Sequence, residues 1–276
     1  MAHGFARGSL FLIAGPCVVE DDALNLAVGE ALAHLAPLVP GGIIFKASFD
    51  KANRSNAGAA RGPGVDDGLA KLDRVRAATG LPVLTDVHLP DQCAHVAAVV
   101  DYLQIPAFLC RQTDLLEAAG ATGKAVNIKK GQWMHPEGIA GAVTKVAQAR
   151  PHKHSAASTT SDIAVTERGT FFGYGDLVVD MRAFARMRGE TGRPVIFDGT
   201  HSVQQPGKGQ GGASGGVREH IPSLVLAAVA AGVDGVFLET HPDPARAPSD
   251  GANMLPLSEL EPLVRRMVAV WKAAHG

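Results

Sequence analysis

Eight short β-prone runs, each followed by a helix-prone stretch, constrain this chain more than any other feature. The runs are LFLIAGP (10–16), GIIFKAS (42–48), LPVLTDVH (81–88), DYLQIPAF (101–108), AVNIKKG (125–131), DIAVTERG (162–169), PVIFDGTH (194–201) and GVFLETH (235–241). Between them lie stretches such as DALNLAVGEALAHLAPL, DDGLAKLDRVRAATG and REHIPSLVLAAVAAG, the last two ending in a glycine suited to a helix C-terminus. The amphipathic LPLSELEPLVRRMVAVWKAAH closes the chain. Strands alternating with helices predict a parallel sheet of the α/β class. Eight such units in 276 residues predict a single (β/α)8 TIM barrel, one catalytic domain over 1–276. An open doubly wound sheet is the rival, but no Gly-x-Gly-x-x-Gly opens the first βα turn.

Each run starts apolar and turns polar toward its end. Cys17 follows the first and Lys46 ends the second; Asp86 and His88 end the third, and Gln104 lies in the fourth. Asn127 with Lys129, Glu167 with Arg168, Asp198 with His201, and Glu239 with His241 end the remaining four. Residues two apart share a strand face, and a closed barrel brings all strand ends to one rim, where active sites form. A 46% hydrophobic, 19% charged composition and a net charge of −1 give no reason to expect nucleic acid or an anionic membrane as partner. Three scattered cysteines do not make a disulfide framework and suit a reducing compartment. The first residues lack a signal-peptide layout, and no apolar run approaches the ~18 residues of a membrane span, so a cytoplasmic location is expected.

Lys46, Lys51, Arg54, Lys129 and Arg168 would reach the rim or its loops, which suits one or two multiply charged anions. Lys46 and Lys129 stand in apolar strands, where an unpaired ammonium is costly; a Schiff-base lysine is the other reading. Cys17, His201, Glu239 and Asp250 come from the first, seventh and eighth strand ends and the loop after the eighth, which are neighbours in a closed barrel. Thiolate, imidazole and carboxylates together suit Zn²⁺, Fe²⁺, Mn²⁺ or Co²⁺. On the residues alone, Cys17 is equally a small buried hydrophobe. His88 and His241 are rival ligands, while Cys93 reads as helix packing and Cys110 as loop packing. The glycine-rich 202–216, SVQQPGKGQGGASGG, reads as a lid over the rim.

KASFDKANRS (46–55), ARGPG (60–64), TDVH (85–88), QIPAFLCRQTDLL (104–116), NIKKGQ (127–132), ERG (167–169), FGYGDLVVDM (172–181), FDGTHSVQ (197–204) and ETHPDP (239–244) follow one another in order. Together they resemble the 3-deoxy-D-manno-octulosonate 8-phosphate synthases over nearly the whole chain. The resemblance implies a (β/α)8 barrel, commonly a homotetramer, that condenses phosphoenolpyruvate with D-arabinose 5-phosphate for lipopolysaccharide assembly. It implies that Lys46, Lys51, Gln104, the Ala107 backbone, Lys129 and Arg168 hold phosphoenolpyruvate. Asn53, Arg54 and Ser55 match the arabinose 5-phosphate segment, and Arg111 matches a residue reaching a neighbouring subunit's sugar phosphate. Asp86 matches a sugar or acid–base contact; with Lys46, His201 and Asp250 it makes up the catalytic set. The family has a metal-independent branch with asparagine where this chain has Cys17. GPCVVE therefore resembles the metal-dependent branch, with Cys17, His201, Glu239 and Asp250 as its ligand positions. The related synthases that use erythrose 4-phosphate carry KPRTS where this chain has KANRS, and are the nearest alternative.

Overall fold

A computed structural model describes residues 4–53, 58, 60–151, 159–172, 175–209 and 215–275 of the chain. Eight parallel strands form the barrel: β1 (Phe11–Gly15), β2 (Ile43–Lys46), β3 (Val83–Asp86), β4 (Tyr102–Ile105), β5 (Ala125–Lys129), β6 (Ile163–Glu167), β7 (Val195–Asp198) and β8 (Gly235–His241). Each pairs with its neighbour in sequence, and β8 pairs with both β7 and β1, which closes the ring. Every barrel strand falls on one of the runs read from the sequence. The helices between them are α1 (Asp22–Leu35), α2 (Val65–Thr79), α3 (Gln92–Ala97), α4 (Thr113–Ala121), α5 (Ala140–Ala149), α6 (Arg182–Thr191), α7 (Ile221–Ala230) and α8 (Leu257–His275). Local signals set their ends. The Asp21 carboxylate accepts from the Leu24 amide at the start of α1, and α2 stops on Gly80 in the left-handed conformation. No helix among the described residues is long and apolar enough to cross a membrane.

Strand alternation sorts side chains into two layers. Outward residues such as Leu12, Phe45, Leu103, Val165 and Leu238 pack with helix residues such as Leu32, Leu72 and Val264. Inward residues Phe11, Ile13, Ile44, Leu84, Ala164, Ile196 and Phe237 fill the lower barrel. A short antiparallel pair, Phe5–Ala6 with Thr160–Ser161, plugs its base. There the Phe5 ring centroid lies 5.0 Å from that of Tyr102, whose hydroxyl donates to the Gly4 carbonyl at 3.1 Å.

The same inward alternation, continued toward the strand C-termini, gives Lys46, Asp86, Gln104, Asn127, Lys129, Thr166, Asp198 and Glu239, all buried. Glu167 breaks the expectation that it belongs to the rim. It shares the outward parity of Ile163 and Val165, its Oε1 accepts from the Gly169 amide at 2.7 Å, and its Oε2 lies 3.3 Å from the buried Lys130 Nζ.

The 202–216 segment is not irregular throughout. Gln204–Gln205 pairs antiparallel with Gly215–Gly216, while 210–214 lie outside the described residues. A Cβ on Gly216 would lie 1.4 Å from Asn253 Oδ1, so glycine lets this hairpin rest on the Gly251–Asn253 turn without displacing that side chain. That contact sets the base of the loop beside Asp250.

Candidate active site

At the C-terminal mouth of the barrel lies a cavity of about 570 Å³, lined among others by Lys46, Lys51, Asp86, Lys129, Arg168 and Glu239. Close approach of β1 and β2 shapes one wall. A Cβ on Gly15 would sit 2.1 Å from the Lys46 carbonyl oxygen, so glycine lets the chain turn there and deliver Cys17 beside Lys46.

The three lysines of the cavity, Lys46, Lys51 and Lys129, each lean on a carboxylate, while Arg168 leans on an amide. Lys46 Nζ lies 2.8 Å from Glu239 Oε1 and 4.0 Å from Asp86 Oδ2, and donates to the Cys17 carbonyl at 3.1 Å. Lys51 Nζ donates to Ser48 Oγ at 3.1 Å and lies 3.9 Å from Glu239 Oε1. Lys129 Nζ is 2.6 Å from Asp198 Oδ2 and sits over the Phe237 ring, 3.6 Å from its centroid. Arg168 donates from Nη2 to Gln204 Oε1 at 2.6 Å, while its buried Nη1 has no hydrogen-bond partner among the described residues. Burial opposes the charge on Lys129 and Arg168 and lowers both pKa values, with Asp198 as the chief opposing influence on each. For Lys51, burial works against the charge, but Cys17, Glu239 and Asp86 outweigh it and raise the pKa. A buried guanidinium with an idle N–H fits an anion bound in the cavity.

Carboxylate protonation follows the same competition. Burial alone would raise Asp86, but Lys46, Lys51 and His88 hold it well below the usual range, helped by the Ser48 hydroxyl. Glu239 is likewise depressed, with burial outweighed by Lys46, His201 and Lys51. Asp198 is depressed as His201 and Lys129 outweigh its burial.

Beside these cations lies a corner of side chains of the types that hold a metal ion. One ligand atom each from Cys17, Glu239 and Asp250 lies within 4.8 Å of the other two. Cys17 Sγ approaches Asp250 Oδ2 at 3.2 Å. His201 completes the approach less tightly, with Nε2 3.6 Å from Glu239 Oε2. Its Nδ1 is held 2.7 Å from Asp198 Oδ2, an outer carboxylate that fixes the ring and leaves Nε2 facing the corner. Glu239 divides its two oxygens. Oε1 takes Lys46, while the buried Oε2 has no hydrogen-bond partner among the described residues. Asp250 is the sole non-glycine residue among those described with positive φ, at 52°, and Ser249 and Gln204 hold its carboxylate there. Burial pushes the Cys17 thiol well above its ordinary range, and Glu239 adds to the push. A bound cation reverses that balance by stabilising the thiolate. An orphaned carboxylate oxygen, a thiol, a second carboxylate and an oriented imidazole fit a transition-metal ion.

Other residues singled out from the sequence fall elsewhere. Asn53 and Ala107 line the cavity, as does His88, which meets the Phe49 ring edge-on. Arg54 and Ser55 lie outside the described residues. Arg111 is exposed and lines a separate cavity with Trp133 and Lys145. His241 turns to Glu20, 3.2 Å from its Nε2, while its Nδ1 accepts from the Asp243 amide. Cys93 and Cys110 are buried in the helix-packed layer, Cys110 against the Met134 sulfur. Gln104 lines the cavity with both amide ends engaged, Nε2 on Asp86 and Oε1 on Asn127.

Strand alternation puts Asp198 and Asn127 on the rim without giving either a role, and the sequence offers no signal that places Ser48 or Gln204 in the site. Asp198, three residues before His201 at a strand end, was the most visible of these.

The sequence profile of the DAHP synthetase I family matches residues 6–274. The 2-dehydro-3-deoxyphosphooctonate aldolase of Bradyrhizobium diazoefficiens is 56% identical over 258 residues, covering 94% of this chain and 88% of that protein. Its namesake from Nitrobacter winogradskyi is 56% identical over 260 residues, 94% of this chain and 87% of that protein. The protein of the same name from Syntrophotalea carbinolica is 55% identical over 266 residues, 96% of this chain and 92% of that protein.

Proposed function

The chain belongs to the DAHP synthetase I family, and from that premise we propose that it condenses phosphoenolpyruvate with arabinose 5-phosphate and water, giving 3-deoxy-D-manno-octulosonate 8-phosphate and inorganic phosphate, with a divalent metal ion bound. Relatives named for the octonate product favour the five-carbon sugar over erythrose 4-phosphate, as does KANRS in place of KPRTS. In this reaction carbon 3 of the enol bonds to the sugar aldehyde carbon, a water oxygen joins carbon 2, and the bond from carbon 2 to the phosphate oxygen breaks.

One observation supports the reading most. Glu239 joins the two halves of the site, with Oε1 on the cation cluster and an orphaned Oε2 turned to the Cys17–Asp250 corner. Lys46, Lys129 and the idle Nη1 of Arg168 supply positive charge for the phosphate and carboxylate of phosphoenolpyruvate. Asp86, an ionised acceptor in the cavity wall, accepts a hydrogen bond from a hydroxyl of the sugar. Asn53, Arg54 and Ser55 take the sugar phosphate. Cys17, His201, Glu239 and Asp250 hold the metal, and Asp198 keeps His201 turned toward it. When bound, the ion supplies Lewis-acid polarisation or orientation of an oxygen. The reading also takes the enzyme as a cytoplasmic homotetramer, the assembly that the resemblance implies, and the exposed Arg111, outside the cavity of its own chain, is in keeping with contact to a neighbour; light scattering that gives a monomer removes that part.

Phosphate release from phosphoenolpyruvate, measured with each aldose phosphate, tests the substrate. Faster turnover with arabinose 5-phosphate is expected; faster turnover with erythrose 4-phosphate overturns the choice. Borohydride trapping of a substrate on Lys46 or Lys129 would instead favour a Schiff-base aldolase.

A further inference from the structure

Four side chains on four successive strands form one directional chain of hydrogen bonds across the barrel. Asp86, Gln104 and Asn127 lie directly opposite one another in the register of β3, β4 and β5. Thr166 on β6 stands one alternation beyond Ala164, the partner of Asn127. The Thr166 hydroxyl donates to Asn127 Oδ1 at 2.7 Å, and Asn127 Nδ2 donates to Gln104 Oε1 at 2.8 Å. Gln104 Nε2 then donates to Asp86 Oδ1. All four residues are at least nine-tenths buried.

The direction of this chain has one consistent solution. A carboxylate only accepts, and a primary amide has one donating and one accepting end. With Asp86 ionised among Lys46, Lys51 and His88, Gln104 must offer its NH₂ group. Its oxygen then faces Asn127, which must also donate, and the Asn127 oxygen requires a donor in turn. The Thr166 hydroxyl is that donor. Without it, a buried amide oxygen is left unpaired unless Asn127 and Gln104 both reverse, and reversal sets the Gln104 oxygen against the Asp86 carboxylate. Asn127 and Thr166 are not among the residues lining the cavity, so they act without touching a substrate there.

We propose that Thr166 and Asn127 are positioning residues for Asp86, fixing through Gln104 the orientation in which that carboxylate meets the sugar. This rests on the reading of Asp86 as a sugar contact.

A double-mutant cycle with phosphoenolpyruvate and arabinose 5-phosphate tests it. Thr166→Val keeps the side-chain shape and removes the donor; it is expected to lower kcat/KM for arabinose 5-phosphate about tenfold, the scale of one unsatisfied buried group. Thr166→Ser, which restores the hydroxyl, is expected to recover activity to within about twofold. In an Asp86→Asn background the orientation constraint is gone, so Thr166→Val should change kcat/KM by less than about twofold. If that background turns over too slowly to time, the dissociation constant for arabinose 5-phosphate from calorimetry replaces kcat/KM throughout the cycle. Should Thr166→Val fail to melt cooperatively, Asn127→Asp takes its place, since the new carboxylate reverses Gln104 without changing size. The same loss in both backgrounds, or no loss in the first, overturns the proposal. Absence of octulosonate product from the unaltered protein would instead remove the functional reading itself, a separate outcome seen before any variant is made.

Discussion

The two ends of the barrel interior are buried alike and built oppositely. Below, Phe11, Ile44, Leu84, Tyr102 and Ile196 fill the tube and the Phe5 segment closes it. One alternation higher, the same inward positions carry Lys46, Asp86, Gln104 and Asp198. The lower end gains stability from apolar area and close packing. The upper end is tolerable because its polar atoms pair with one another, as desolvated charges must. Among the described atoms left over from that pairing are Glu239 Oε2, at the corner proposed to hold the metal, and Arg168 Nη1, in the cation cluster.

Substitutions at the two ends should therefore separate stability from turnover. Phe11→Ala at the base is expected to cost about 3–5 kcal/mol in denaturant unfolding while the folded fraction keeps kcat/KM within about twofold. A comparable fall in kcat/KM would break the separation. Cys17→Ala at the rim should do the reverse. Metal content is lost and activity falls on the order of a hundredfold, while the melting temperature of the metal-free proteins stays within a few degrees. Asp198→Asn weakens the hold on the His201 ring and on Lys129, and should reduce metal affinity by roughly ten- to a hundredfold in competition with a chelator. An unchanged affinity removes Asp198 from the metal's support.

The smallest effect near neutrality is the dependence of stability on pH. Asp86, Asp198 and Glu239 have folded-state pKa values depressed below their unfolded values. Their contribution is thus fully present above an unfolded carboxylate pKa of about 4 and is lost as pH falls below it. Urea midpoints of the metal-free protein should be flat from these groups between about pH 7 and pH 5, then decline. A midpoint that rises on acidification contradicts the charge assignment of the upper end.

Much of this contrast is legible in the sequence because strand periodicity carries it. Alternation placed Asn127 with Lys129, and the eight polar endings located the rim. Parity also misled at β6, where two adjacent polar residues, Glu167 and Arg168, cannot both face inward; Glu167 turned to the buried Lys130. Pairings between strands far apart in the chain were not legible. Nothing in the local sequence tells that Thr166 reaches Asn127, or that Gln104 is engaged at both ends. Asp198 was visible as a strand ending, but its hold on His201 depends on a turn of three residues whose geometry only the fold defines.

The central claim is that Cys17, His201, Glu239 and Asp250 hold an ion on which turnover depends. Metal analysis of the purified protein, with activity followed through chelation and readdition of single ions, tests it most directly. The account predicts a transition metal bound to the unaltered chain, activity lost on its removal and restored by its return, and neither retention nor restoration in Cys17→Ala. Full turnover by rigorously metal-free protein with Cys17 intact would contradict it.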